Sequence, residues 1–197
     1  MMSIPDSKSY GRFTDLAKHQ ARGKDYEIIV SPRAPSRVAV IAPHGGCIEP
    51  RTSEIARAIA GDEFNLYLFE GIRPSKNYTA LHLASHLFDE PECLAVIAQC
   101  PFVVAIHGCK SVYEKVLLGG LNTTLKSQLA AALRDVNVTV QTDGHGFPAT
   151  DANNICNRGL TRSGVQLEFT GPLRRAAAET RAVSAVRSVL MGLNAAA

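Results

Sequence analysis

Residues 37–49, RVAVIAPHGGCIE, and residues 102–108, FVVAIHG, carry the clearest structural pattern in this sequence. Residues 37–41 and 102–106 are mainly apolar, rich in β-branched side chains and bounded by turn residues, a pattern typical of strands that are buried on both faces of a sheet. Each stretch also carries a histidine followed by glycine just after its apolar run. The sequence therefore predicts two central strands of a covered α/β sheet, with polar groups at their carboxyl ends.

Strand and helix patterns alternate along the rest of the chain. Short β-branched or alternating runs predict further strands at residues 26–30, 65–69, 115–118, 136–141 and 165–169. Helices are predicted from residue 52 or 53 to 59, from residue 91 onward, at 123–133, and from residue 172 to about 193. Such alternation indicates helices packed on both faces of a central sheet. The predicted fold class is a three-layer α/β sandwich.

Composition limits the classes of protein that this chain can represent. It has 197 residues, 46% of them hydrophobic and 20% charged, which predicts one globular domain over residues 1–197 and excludes an intrinsically disordered chain. No apolar run approaches the roughly 18 residues that a membrane span needs. The 21 basic and 18 acidic residues leave a net charge of +3, which is too small to predict a nucleic-acid partner but is compatible with an anionic substrate.

Cysteine usage predicts a reducing compartment. The five cysteines are irregularly spaced and form no CxxC pair, so neither a zinc ribbon nor a redox motif is predicted. The N-terminal residues MMSIPDSKSYGRF lack the apolar stretch of a secretory signal. Because free thiols without an export signal are typical of reducing conditions, we expect a cytoplasmic protein, most simply in a bacterium or in a host cell.

The two histidine-glycine pairs carry the candidate chemistry. Ligands of open α/β sheets bind beyond the carboxyl ends of strands, where one tight loop delivers His44 and Glu49 and a second strand delivers His107. Two imidazoles and one carboxylate suit a catalytic zinc, which leaves one position open for water. Gly45 and Gly46 allow the sharp turn that this site requires. A single such pair is more often an ordinary turn, but its recurrence after both apolar runs favours the metal site.

Two further segments offer groups for catalysis and substrate binding. Glu168 alternates with Gln166 in a nearly apolar strand, so it is predicted to be the general base that handles the proton of water. An exposed carboxylate on an edge strand is the alternative. Asn157 and Arg158 lie in a polar segment whose arginine is suited to clamp a substrate carboxylate, and Arg162 follows as a second cation. A surface loop with solvated side chains explains that segment equally well.

The other histidines are weaker candidates. His82 and His86 are four residues apart, which would place them on one face of a helix. The HExxH pattern of metalloprotease helices is missing, because no glutamate stands between them. His82 is predicted to contact substrate or to support a metal ligand, whereas His86, His145 and His19 are predicted to be structural.

Four ordered motifs resemble the poly-γ-glutamate hydrolase family, which occurs in bacteriophages and bacterial genomes. They are His44-Gly45-Gly46-x-Ile48-Glu49, Leu81-His82-x-x-Ser85-x-x-Phe88-Asp89-Glu90-Pro91, His107-Gly108 and Gly164-Val165-Gln166-Leu167-Glu168. The resemblance implies a carboxypeptidase A-like fold with a mixed, mostly parallel sheet, and a zinc peptidase that hydrolyses the γ-glutamyl amide bonds of poly-γ-glutamate. It also implies roles for individual residues: zinc ligation by His44, Glu49 and His107, proton transfer by Glu168, and carboxylate binding by Asn157 and Arg158.

Two other interpretations stay open at this stage. One is an amidase or carboxypeptidase that acts on γ-glutamyl peptides of the cell wall, since the motifs leave the substrate pocket undefined. The other is a non-enzymatic phage replication accessory protein that binds nucleic acid. The small net charge and the lack of a basic stripe interleaved with aromatic residues disfavour this second interpretation. The sequence leaves the oligomeric state open.

Overall fold

The structure is a computed structural model that describes residues 10–195. Within this range the chain forms a seven-stranded sheet. Its strands are β1 (Tyr26–Ser31), β2 (Val38–Gly46), β3 (Asn65–Gly71), β4 (Phe102–Cys109), β5 (Val116–Gly119), β6 (Val140–Gln141) and β7 (Val165–Thr170). The segment MMSIPDSKS, which is most of the stretch inspected for an export signal, lies outside the described residues. Among residues 10–195, no helix combines the length and the apolar character needed to cross a membrane.

The sheet is mixed and mostly parallel, as predicted. Its strand order is β1-β3-β2-β4-β7-β5-β6. The four central strands β3, β2, β4 and β7 run parallel to one another, whereas β1 is antiparallel to β3 and β5 is antiparallel to β7. Because β2 and β4 are parallel neighbours, their carboxyl ends meet at the same end of the sheet. This topology brings the two histidine-glycine pairs together.

Helices cover both faces of the sheet and complete the predicted three layers. They are α1 (Phe13–Leu16), α2 (Thr52–Ala60), α3 (Asn77–Leu81), α4 (Pro91–Ala98), α5 (Thr123–Asp135) and α6 (Ala178–Ala195). Alternate residues of β2 enter two separate cores. Val38 and Val40 belong to the core that includes residues of α2, α5 and α6, while Ala39 and Ile41 belong to the core that includes residues of α1, α3 and α4. Each face of the sheet therefore removes its own set of apolar side chains from water.

Strand β2 continues beyond its predicted end at residue 41 and runs through Gly46. Its pairing with β3 shifts register between Ala42 and Gly45 and then resumes. The close approach of the two backbones requires glycine, because a Cβ atom on Gly46 would lie 2.6 Å from the carbonyl oxygen of Gly71, and the φ of Gly46 is +60°. The predicted sharp turn therefore begins only at Gly46, and His44 is itself part of the strand.

Two other predicted elements differ from the structure. The predicted strand at 136–141 is reduced to β6, since Asn137 adopts a left-handed φ of 58° that interrupts an extended backbone. The predicted helix from Pro172 is divided into a short 3-10 turn, Leu173–Arg175, and the longer helix α6. Extended backbone at Ala176 separates the two. The second difference matters for the site, because the short turn directs an arginine toward the end of the sheet.

Candidate functional site

A cavity of about 1060 Å³ opens at the carboxyl ends of the parallel strands. Its walls include His44, Glu49, His107 and Glu168, all of which are buried. This is the position at which open α/β sheets bind their ligands. The structure therefore brings together the four residues that the sequence predicted as metal ligands and general base.

The two strand-end histidines face each other at close range. Nδ1 of His44 lies 3.1 Å from Nδ1 of His107, although 63 residues separate them in the chain. Nε2 of His44 lies 2.7 Å from the backbone carbonyl of Leu83. Because a carbonyl can only accept, Nε2 carries the proton and donates it, and Nδ1 of His44 is left as a lone-pair donor for a cation. Such a hydrogen bond from the far nitrogen is the usual means of orienting a metal-ligating histidine.

Glu49 bridges the histidine pair. Its Oε1 lies 3.1 Å from Nδ1 of His44, and its Oε2 lies 3.7 Å from Nδ1 of His107. The backbone N–H of Gly108 donates to the same Oε2 at 2.7 Å. The backbone N–H of Glu49 donates to the carbonyl of His44 at 2.9 Å. This hydrogen bond closes the loop that carries Glu49. Thr52, the first residue of α2, donates its hydroxyl to the carbonyl of Glu49 at 2.8 Å.

The electrostatics of this cluster favour a bound cation. Burial lowers the pKa of His44 to about 4, so its imidazole is neutral at pH 7, as metal ligation requires. Burial also opposes ionisation of Glu49, but the neighbouring histidines outweigh it and hold the pKa of Glu49 well below its usual range. Burial opposes protonation of His107, but Glu49 and Glu168 outweigh it and raise the pKa of His107. Nitrogen and oxygen donors in this arrangement fit a divalent metal of the zinc type.

His82 lies closer to the cluster than the sequence suggested. His44, Glu49 and His82 each place one donor atom within 4.8 Å of the other two. Nε2 of His82 is 3.6 Å from Oε1 of Glu49, and its ring is tilted over that of His44 with the centroids 4.0 Å apart. His82 and His86 do not share a helix face, because α3 ends at Leu81 and irregular backbone follows. Both line the cavity, so His82 is a further candidate ligand, and the structural role predicted for His86 gains no support.

Glu168 lies in β7, an interior strand between β4 and β5, so the alternative of an edge-strand carboxylate is wrong. It is in register with His107 on β4. The amide of Gln166 donates to its Oε1 at 2.9 Å, which confirms that these two side chains share a face, and Asn154 donates to Gln166 at 3.1 Å. Burial, reinforced by the charge of Glu49, raises the pKa of Glu168 to about 7. A carboxyl group with this pKa is suited to exchange protons near neutral pH.

The substrate contacts predicted for Asn157, Arg158 and Arg162 have no support in the geometry, because none of the three lines this cavity. Asn157 is completely buried. Its amide donates to the carbonyls of Ala149 and Asp151 and accepts from the N–H groups of Leu121 and Gly164. These four bonds use the whole hydrogen-bonding capacity of the amide, so Asn157 joins loops instead of facing a ligand. Arg162 is exposed on a loop with a left-handed φ of 55°.

A different arginine, Arg174, lines the cavity. It belongs to the short turn Leu173–Arg175, directly after β7. Its position in the sequence, beside Arg175 at a predicted helix start, is ordinary for a solvated cation, so it was not predicted as a site residue. One feature of the sequence could have identified Arg174. It follows Glu168 closely, at the point where β7 reaches the end of the sheet.

This chain is similar to known proteins in both sequence and structure. The profile of the poly-γ-glutamate hydrolase family matches residues 10–188. The UPF0714 protein YmaC of Bacillus subtilis is 34% identical over 174 residues, which cover 87% of this chain and 72% of YmaC. A bacteriophage poly-γ-glutamate hydrolase structure matches with a TM-score of 0.89 and 29% identity, over 95% of this chain and 98% of the other. The zinc-free apo form of YndL matches with a TM-score of 0.86 and 25% identity over the same shares. These matches confirm the resemblance found in the sequence, and the chain belongs to the poly-γ-glutamate hydrolase family of hydrolases.

Proposed function

We propose that this hydrolase uses zinc to cleave the γ-glutamyl amide bonds of poly-γ-glutamate. The observation that carries the proposal is the buried cluster of His44, Glu49 and His107, in which two imidazole nitrogens lie 3.1 Å apart beside a carboxylate. Membership of the family, and similarity to a bacteriophage poly-γ-glutamate hydrolase, support the substrate. Similarity to YndL, for which a zinc-free apo form is known, supports the metal.

The residues of the cluster fit a zinc ion. Zinc–nitrogen bonds of about 2.0–2.1 Å in a tetrahedral arrangement separate two ligand nitrogens by about 3.3 Å, close to the separation between His44 and His107. Glu49 would be the third ligand, and such a set of three protein ligands would leave a position for water, as catalytic zinc sites do. We assign His82 to the wall of the site, where its ring lies tilted over that of His44. Zinc bound there would supply a Lewis acid that polarises the amide carbonyl and makes water more acidic.

Glu168 supplies the base in this proposal. Its side chain lines the same cavity as the cluster, and its pKa of about 7 suits it to take a proton from water and return it to the nitrogen of the leaving amine. The hydrogen bond from Gln166 orients one carboxylate oxygen and leaves the other available for the proton. Hydroxide adds to the carbonyl carbon, the C–N bond breaks, and the products are a carboxylate and an amine.

Metal analysis and a comparison of substrates test the proposal. The purified protein should contain about one zinc per chain, and it should hydrolyse γ-linked polyglutamate faster than γ-glutamyl peptides of the cell wall. Faster cleavage of the cell-wall peptides would favour the amidase interpretation instead. Absence of both zinc and hydrolysis, combined with a mobility shift of DNA at moderate salt, would replace the enzyme with a nucleic-acid-binding protein.

A further inference from the structure

Arg174 is held against the strand end that carries His107. The turn Leu173–Arg175 follows β7 and brings the guanidinium of Arg174 over Gly108. A Cβ atom on Gly108 would lie 2.6 Å from Cζ and 2.7 Å from Nη1 of Arg174, so the absence of a side chain at Gly108 leaves room for the guanidinium in this position. The cationic group is therefore packed on the residue that follows a proposed zinc ligand.

The guanidinium has hydrogen-bonding capacity left for a ligand. Its Nη1 donates to the carbonyl of Pro50, but its Nε is buried without a hydrogen-bond partner among the described residues. Buried donors without partners are uncommon in folded proteins, and a ligand or a water molecule that accepts the hydrogen bond is one explanation. Glu49, Glu168 and Arg174 line the same cavity, so Arg174 would add a fixed positive charge beside the proposed zinc in a site that receives an anionic substrate.

The position of Arg174 matches a particular feature of γ-linked glutamate. In such a polymer, the nitrogen of each amide bond is attached to a Cα atom that carries a free carboxylate, so this carboxylate lies two bonds from the atom that leaves. We propose that Arg174 binds the α-carboxylate of the residue on the leaving side and thereby restricts hydrolysis to amides whose nitrogen bears such a group. This inference rests on the proposed function and adds the residue that selects the substrate.

The planar guanidinium of arginine, with its fork of N–H donors, is suited to bind this carboxylate. It binds a carboxylate through two parallel N–H bonds, which fixes the orientation of the carboxylate as well as its charge. Lys110 also lines the cavity, but its side chain is exposed and offers a point charge on a flexible stem. Packing on Gly108 holds Arg174 in place before substrate arrives, which reduces the entropy lost on binding.

The test compares one bond in two versions of the same oligomer. A γ-linked glutamate pentamer and its counterpart with one α-carboxylate replaced by a carboxamide are incubated with the protein, and mass spectrometry quantifies cleavage at each bond. The wild-type protein should cleave the bond whose leaving residue is amidated roughly 10- to 100-fold more slowly than the unmodified bond, the usual contribution of a charge-assisted pair.

Variants of Arg174 test whether this residue causes the preference for the unmodified bond. Arg174→Met should slow the unmodified bond by a similar factor and leave the amidated bond nearly unchanged, so that the ratio of the two rates approaches one. Arg174→Lys keeps the charge without the fork and should give an intermediate ratio. Arg175→Met, at the exposed neighbour on the same turn, is the matched control and should keep the wild-type ratio.

Measurements other than turnover keep the test decisive. Zinc content and Tm establish that each variant is folded, and calorimetry compares the binding of γ-linked diglutamate and its α-amide. Equal cleavage of both bonds by the wild-type protein, or equal slowing of both bonds by Arg174→Met, would overturn the inference. Failure of the proposed function is distinguishable, because the wild-type protein would then cleave no bond of any γ-linked oligomer.

Discussion

Replacing Glu168 with glutamine should make the protein at once more stable and a much poorer catalyst. The substitution keeps the shape of the side chain and its ability to accept the hydrogen bond from Gln166, but it removes the carboxylate that exchanges a proton. We expect turnover of γ-linked polyglutamate to fall by roughly 10²-fold or more, the usual share of general acid–base catalysis. Bound zinc should be retained, because Glu168 is not a proposed ligand.

The gain in stability follows from the pKa of about 7 that burial gives Glu168, against an ordinary value of 4.5. The unfolded chain ionises this carboxyl at a lower pH than the folded chain does, so the folded state loses stability as the pH rises from about 4.5 to about 7. The gap between the two pKa values corresponds to about 3 kcal/mol of unfolding free energy above pH 7. Glutamine has no charge to bury, so the variant does not suffer this loss.

Unfolding of chelator-washed protein at pH 5 and pH 8 measures the effect. The stability advantage of Glu168→Gln should grow by roughly 2–3 kcal/mol between these pH values, or about 5–10 °C in Tm for a chain of this length. Glu114→Gln, at an exposed position, is the control and should leave the pH dependence of stability unchanged. If the difference in stability between the variant and the wild type does not vary with pH, the pKa of Glu168 is not raised by burial. If turnover is unchanged, Glu168 is not the base.

His107→Ala should lose most of its zinc when the protein is stripped and reloaded, because two protein ligands hold the ion far more weakly than three, whereas His82→Ala should keep it. If elemental analysis shows that His82→Ala loses zinc and His107→Ala keeps it, His82 is the ligand and His107 belongs to the wall of the site. Cys47→Ser should keep zinc and most activity, since the exposed thiol is not needed in a complete set of three ligands; loss of both would make Cys47 a ligand. Asn157→Ala should lower the unfolding free energy by about 2–4 kcal/mol, because buried backbone groups lose their partner, with activity per folded molecule preserved. A raised KM at unchanged stability would instead support the substrate contact predicted for Asn157.

The centre of the sheet was predictable because strands buried on both faces carry almost no polar positions, and the short length, β-branched residues and flanking turn residues of these runs distinguish them from a buried helix. Parallel neighbours end on the same side, so His44 and His107 could be paired from the sequence, and the structure shows them adjacent. Glu168 was predictable for a related reason. A charged group among the apolar residues of a strand is tolerated mainly where it is used or paired.

The remaining features depend on contacts between distant parts of the chain. Strand β2 continues through Gly46 because β3 lies close enough to pair with it, and no local pattern records that proximity. The sequence around Arg174 is typical of a solvated residue at the start of a helix. Its position at the cavity arises from packing on Gly108. Asn157 has the sequence context of a solvated loop residue, whereas its amide takes the place of water for buried backbone groups.

The pairing of His44 with His107 across 63 residues has a kinetic consequence. In the unfolded chain, only His44 and Glu49 are close along the sequence, so that state lacks the complete set of ligands. The set is complete only when β2 and β4 lie side by side, which places zinc binding after the sheet has formed. A ligand that binds after the main folding barrier slows unfolding and leaves the folding rate nearly unchanged. Zinc held between these strands would therefore extend the lifetime of the native protein. In a cell short of the metal, the chain would fold equally fast, but the folded protein would unfold sooner.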